Sequence, residues 1–263
     1  MPEIAKHAIE DLLASTNPEE IRQGLKLARV KAATMPPREA QPLFEMVSAF
    51  FYIDPLDRPD LVPVINEAIT LVGSLGTWIV PVLVEHLDAG DLKAQMAAAQ
   101  ALGRIGEPAI EPLMTAYESS PDSARRAFVL YALGMVKSPG IIRAAHLALE
   151  AAESPDLELR DTATRAIGRF VESIPVPQLS EELRRQFIIA LHKNLADPRH
   201  GIRAKAVRSL GKLAKHGHMS AKERQTLKAT CLLLTGKDEN FEWDRAYIVR
   251  KEAEEALQYL QQE

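Results

Sequence analysis

The chain has 263 residues, 46% of them hydrophobic and 26% charged, with 32 Lys and Arg against 36 Asp and Glu for a formal net charge of −4. This is the composition of a soluble globular protein, and a pI near 6.0 speaks against a dedicated nucleic-acid binder. Cys231 is the only cysteine, so no intramolecular disulfide is available and a reducing, cytoplasmic setting is expected. No apolar run approaches the ~20 residues of a membrane span, and the helical pattern with Glu10 and Asp11 at the start is not that of a signal peptide.

From the N-terminus, residues 1–58 read as helices without a common motif. One is entered at Asn17-Pro18, where a capping side chain precedes a proline that has no N–H to lose. The stretch closes on a dense apolar group, Phe44, Met46, Val47, Phe50, Phe51 and Tyr52, expected to pack as a cap rather than to dock a partner. Ser120-Pro121, Ser138-Pro139, Ser154-Pro155 and Asp197-Pro198 repeat the cap-then-proline arrangement and are read as helix starts. Between these points apolar residues recur at i, i+3 and i+4, and no segment alternates with period two. The chain reads as all-α, with about 13–14 short helices.

A slower period lies over the helical one. The triplets Ala101-Leu102-Gly103, Ala132-Leu133-Gly134, Ala166-Ile167-Gly168, Ser209-Leu210-Gly211 and Ala256-Leu257-Gln258 recur at spacings of 31, 34, 43 and 47. Five residues before each third position stands Ala98, Val129, Ala163, Ala206 or Ala253; eight before stands Arg126, Arg160, Arg203 or Arg250, with Gln95 as the exception. Asp91, Asp122 and Asp156 precede it by twelve. A helical pair repeated at this period cannot bury its apolar face alone and must stack on its neighbours. The glycines, standing near the expected helix ends, are read as residues that ease the turn into the next helix.

The pattern Asp…Arg-x-x-Ala-x-x-Ala-Leu-Gly-x-x-Gly followed by a Pro-Leu helix resembles the HEAT repeat, closest in form to the short variety first described in phycobilisome lyases. Residues 91–119 fit it best, through Asp91, Ala98, Ala101-Leu102-Gly103, Gly106, Ile110 and Pro112-Leu113. Residues 122–153, 156–196 and 197–236 follow, and 60–89 and 244–260 resemble incomplete repeats. The resemblance implies a right-handed α-solenoid of six to seven helical pairs, with residues 1–58 as an atypical N-terminal cap continuous with an array over 59–263. It also implies that the second helix of each pair lines a concave surface.

On a helix from Gly201 to His216, Ile202, Ala206, Val207, Leu210, Leu213 and Ala214 share one face, and Arg203 falls inside it. A guanidinium there needs acceptors. Arg126, Arg160, Arg203 and Arg250 are therefore expected to form a polar ladder between repeats rather than a ligand site. Charge is also uneven: residues 1–120 carry 9 basic and 17 acidic side chains, whereas residues 184–228 carry 12 basic and two acidic, Asp197 and Glu223. Lys205, Arg208, Lys212 and Lys215 lie opposite Arg203, and Arg184, Arg185, Lys193, Lys222 and Lys228 stand on the adjacent helices. These nine are candidate contacts for an acidic protein surface. Nucleic acid is disfavoured as partner because Phe187 is the only aromatic residue in the segment.

Signatures of chemistry are missing. There is no His-Glu-x-x-His, no Cys-x-x-Cys and no Gly-x-Ser-x-Gly, and Gly236-Lys237 lacks the upstream glycine of a phosphate loop. The His-Glu dipeptides by which HEAT-like hydroxylases hold iron are absent. His216 and His218, with His192 and His200 nearby in sequence, read as polar loop residues rather than a metal site, and Cys231 as a buried thiol. No catalytic residue, metal or cofactor is assigned. The expected function is a non-catalytic scaffold or adaptor that binds a protein through its concave face. A bilin-lyase-like or cofactor-maturation protein is the alternative, and a nucleic-acid-binding solenoid the third reading.

Overall fold

The computed structural model describes residues 2–239 and 243–260. Apart from one isolated bridge pairing Thr235 with Trp243, every regular element among them is helical. The α-helices are α1 (Pro2–Leu13), α2 (Pro18–Ala32), α3 (Pro37–Ser48), α4 (Val62–Gly73), α5 (Val80–His86), α6 (Leu92–Ile105), α7 (Ile110–Ser119), α8 (Ser123–Leu133), α9 (Ala145–Ala152), α10 (Leu157–Phe170), α11 (Glu181–Asn194), α12 (His200–Lys215), α13 (Ala221–Leu234) and α14 (Tyr247–Leu260). Short 3₁₀ turns lead into α4, α5, α7 and α9. The chain forms two compact units, Met1–Leu113 and Met114–Glu263.

In the first unit, α2 starts at Asn17, whose side chain accepts the Glu19 N–H, and buries Ile21, Gly24, Leu25 and Ala28 at i, i+3, i+4 and i+7. It packs against α1 and α4, and α4 packs in turn against α6. Phe44, Val47, Phe50 and Phe51 are buried, with the Phe44 ring edge-on to His86 at 5.5 Å, while Tyr52 is exposed. The aromatic group is core, and it joins the residues before 59 to α4, α5 and α6 as one packed body.

In the second unit, the first helices of successive pairs, α8, α10, α12 and α14, pack side by side in that order. The second helices accompany them, α9 against α10, α11 against α9 and α12, and α13 against α14. Alanine, leucine and valine fill the seams, with Val129, Ala163, Ala206 and Ala253 all fully buried.

Two local expectations are corrected. Ser120, Ser154 and Asp197 do not cap helices: the caps of α8 and α10 are Asp122 and Asp156, and α12 begins only at His200. Each proline instead sits inside a tight turn, in which the Ser120 and Ser154 hydroxyls accept the N–H of Asp122 and Asp156, and the Asp197 carboxylate accepts that of Arg199. Of the triplet glycines only Gly134 ends its helix, as the C-cap of α8 with φ −64°. Gly103, Gly168 and Gly211 lie within helices, and the positive-φ positions are Gly76, Gly106, Gly217 and Gly236. Gly168 is required for close approach, because a Cβ there would lie 2.7 Å from the Ser209 Cβ and 2.9 Å from its Cα.

Candidate functional site

The arginines eight residues before each triplet end share one arrangement. Arg126 Nε donates to the Ser120 carbonyl at 2.7 Å, and Nη1 of Arg160, Arg203 and Arg250 donates to the carbonyls of Ser154, Asp197 and Asp244 at 2.6, 2.9 and 2.7 Å. Each guanidinium thus ties the proline-type turn before its helix to that helix. The other edge of the fork reaches the next repeat. Arg160 Nε donates to Asp197 Oδ2 at 2.8 Å, and Arg203 grips Asp244 with Nε and Nη2 at 2.7 and 2.9 Å. Burial disfavours the Asp244 charge, but Arg203, the Ala246 N–H and Arg250 outweigh it and hold the carboxyl below its usual value. Arg126, whose next repeat offers Ser154 at the equivalent place, lies instead over the Tyr117 ring at 5.1 Å. Gln95 replaces the charge by an amide that donates to Leu87 O at 3.0 Å.

The nine basic candidates divide between two layers. On the second helices, Arg184 pairs with Glu223, Arg185 with Glu182, and Lys193 with Glu153 at 3.2 Å. Glu223 also accepts the Ser220 N–H and hydroxyl, so despite burial these groups and Arg184 hold it below the usual carboxylate range. On the first helices, Lys205 pairs with Asp161, Arg208 with the buried Glu252, and Lys212 with Glu172 at 3.0 Å, while Lys215 lies over the Tyr259 ring at 4.9 Å. Lys222 and Lys228 are exposed and, among the described residues, make no ion pair. The stripe on the Gly201–His216 helix is therefore not a free basic face. Its acids come from α10, the turn after it and α14, some 40 residues away in sequence, where a count over 184–228 does not see them.

Charge without its own acid is found one helix earlier. Arg165 and Arg169 stand one turn apart on α10, their guanidinium carbons 5.8 and 5.5 Å from the centre of the Tyr131 ring on α8. Both are half-buried, and among the described residues neither forms an ion pair. Arg169 points an N–H at Met135 Sδ. Burial, with Arg165 beside it, pushes the Arg169 guanidinium below its usual value. The nearest acids to either side in sequence are engaged elsewhere: Asp161 on α10 by Lys205, and Glu172 in the turn after α10 by both Lys212 and Lys137, at 3.0 and 3.2 Å. Burial likewise lowers the Lys212 ammonium, with Arg169 and Lys137 adding to it against Glu172. Beyond Lys212 the layer continues to a cavity of about 140 Å³ between α12 and α14, lined by Arg208, Lys215, Glu252 and Tyr259 among others. The residues that sequence reasoning missed are Arg165, Arg169 and Tyr131; their signal was two arginines at i and i+4 with no acid between them.

The histidines and the cysteine have structural places. His218 is buried with Nε2 3.0 Å from the Val171 carbonyl, and burial lowers both His192 and His216. Among the described residues no three His, Cys, Asp or Glu side chains are placed to hold a metal ion. Cys231 is buried and its thiol is pushed up to about 12, which leaves it without thiolate reactivity at neutral pH. No single described helix is long and apolar enough to cross a membrane.

Residues 61–134 match the family model of HEAT repeats. That segment carries HEAT repeats. No curated protein matches it in sequence. Among solved structures it is similar to the complex of CpcE and CpcF of phycocyanin lyase from Nostoc sp. PCC7120, at 20% identity over 68% of this chain and 98% of that one, with a TM-score of 0.53. It is also similar to the Kap95:Nup1 complex, at 14% identity over 98% of this chain and 36% of that one, with a TM-score of 0.64. A Kap121p structure matches at 14% identity over 98% of this chain and 29% of that one, with a TM-score of 0.61. At these identities the likeness is one of fold, and HEAT solenoids serve many tasks.

Proposed function

We propose that this protein is a non-catalytic scaffold that binds an acidic protein partner through the first-helix layer of its second unit. The observation that carries the reading is the pair Arg165 and Arg169, two half-buried guanidiniums on an aromatic floor that form no ion pair among the described residues. Arg and Tyr at a partly desolvated position are the residue types on which binding energy concentrates. That the similar solenoids are a CpcE–CpcF complex and a Kap95:Nup1 complex supports a protein as the partner. The nine residues first singled out by charge contribute less, because seven of them already hold an acid or a ring within the chain.

The test is affinity capture from the native cell at low and at moderate salt. A stoichiometric protein that is lost as salt rises, and lost at low salt from an R165E/R169E variant with unchanged helicity, is the expected result. Capture that ignores both changes, or that returns nucleic acid alone, contradicts the proposal.

A further inference from the structure

We infer that Arg165 and Arg169 form a receptor for a phosphate monoester, the dianion of a phosphorylated side chain on the partner. The inference rests on the scaffold reading above and names the chemistry that the same surface takes.

The argument begins with charge. Arg169, Lys137 and Lys212 share a single carboxylate, Glu172, which both lysines already hold, and Arg165 adds a further positive charge beside Arg169. Like charges one helical turn apart repel, and here the repulsion is kept in a half-buried setting where solvent screens it less. A glutamate or aspartate from a partner would cancel one of the excess charges. A phosphate monoester brings close to two negative charges and three terminal oxygens, enough to accept from both guanidinium forks at once. The geometry favours guanidinium forks over point charges: both guanidiniums lie over the Tyr131 ring, a cation–π contact that limits the freedom lost on binding. A phosphodiester carries a single charge, so a nucleic-acid backbone matches the excess less well.

The probe is a short synthetic peptide, Gly-Gly-pSer-Gly-Gly, titrated into the full chain by calorimetry alongside the same peptide with Glu in place of pSer and a (dT)12 oligonucleotide. The phosphopeptide is expected to bind about tenfold more tightly than the Glu peptide. It should lose about tenfold in R165A, and more in R165A/R169A, while R38A, an exposed arginine of the other unit, changes nothing. R165K/R169K, with the charge kept and the forks removed, should fall between. Circular dichroism checks the fold, and the single variant serves if the double does not fold. Equal affinity for the phospho- and Glu peptides, preference for the oligonucleotide, or binding unchanged in R165A overturns the inference. If the phosphopeptide fails while R165E/R169E still loses the captured protein, the phosphate class falls and the scaffold reading stands.

Discussion

One helix, α10, carries two kinds of arginine. Arg160, near its start, is locked between the Ser154 carbonyl behind it and Asp197 of the next repeat. Arg165 and Arg169, further along, lie on Tyr131 and meet no acid among the described residues. The first kind recurs with the scaffold, and its acids recur with it, as Asp197 and Asp244 show. The second kind, two arginines one turn apart on one ring, occurs once among the described residues. The difference separates architecture from availability: a cation whose acid sits in the neighbouring repeat is already used, whatever its position on a helical wheel.

The comparison breaks most severely at the paired seam. Arg203→Met should remove the ion-pair partner of a buried carboxylate and cost about 3 kcal/mol, because Asp244 is left desolvated with the Ala246 N–H and the more distant Arg250 charge as its remaining support. Denaturant unfolding reads this directly, and replacing Asp244 by Leu in the same chain should recover most of the loss. Next comes Gly168→Ala, where the added Cβ meets the backbone of Ser209 and must push α10 off α12, at a cost of about 2 kcal/mol.

Acid should act on the same seam. Asp244 and Glu172 are held below their ordinary carboxyl values by Arg203 and by Lys212, against burial. Their contribution is complete above the unfolded value of about 4 and is lost as pH falls through the lowered folded value. Thermal unfolding between pH 6 and pH 2 should therefore show its steepest decline below about pH 4, and Arg203→Met should flatten the part due to Asp244. The smallest effect on stability belongs to the unpaired strip. Arg165→Ala with Arg169→Ala should stay within about 0.5 kcal/mol of wild type, since relief of repulsion offsets the lost stacking on Tyr131.

The repeat and the all-α class were legible in sequence, because they rest on periodic spacing. Arg160 and Arg203 are six residues from the carbonyls they use, so their register followed from the helical period. The turns were less legible: Ser-Pro and Asp-Pro suit a helix cap and a tight turn alike, and only the backbone path decides between them. The pairing of the candidate residues was illegible for a different reason. Neutralisation is a property of neighbours in space, and Lys205, Arg208 and Lys212 each find their acid 40 or more residues away. A charge count along the chain has no access to Asp161, Glu172 or Glu252. The same blindness hid Arg165 and Arg169, whose i, i+4 spacing looks like any helical charge pair until the surrounding acids are seen to be taken.

The most direct measurement is a charge-matched comparison of partner capture, with R165E/R169E against K222E/K228E at one ionic strength. Both variants change the chain by the same four charges, one on the half-buried shelf and one on the exposed face of α13. Loss of the partner from R165E/R169E and its retention by K222E/K228E is the predicted result. Retention by R165E/R169E, or equal loss from both, would show that position on the fold does not govern binding and would contradict the account.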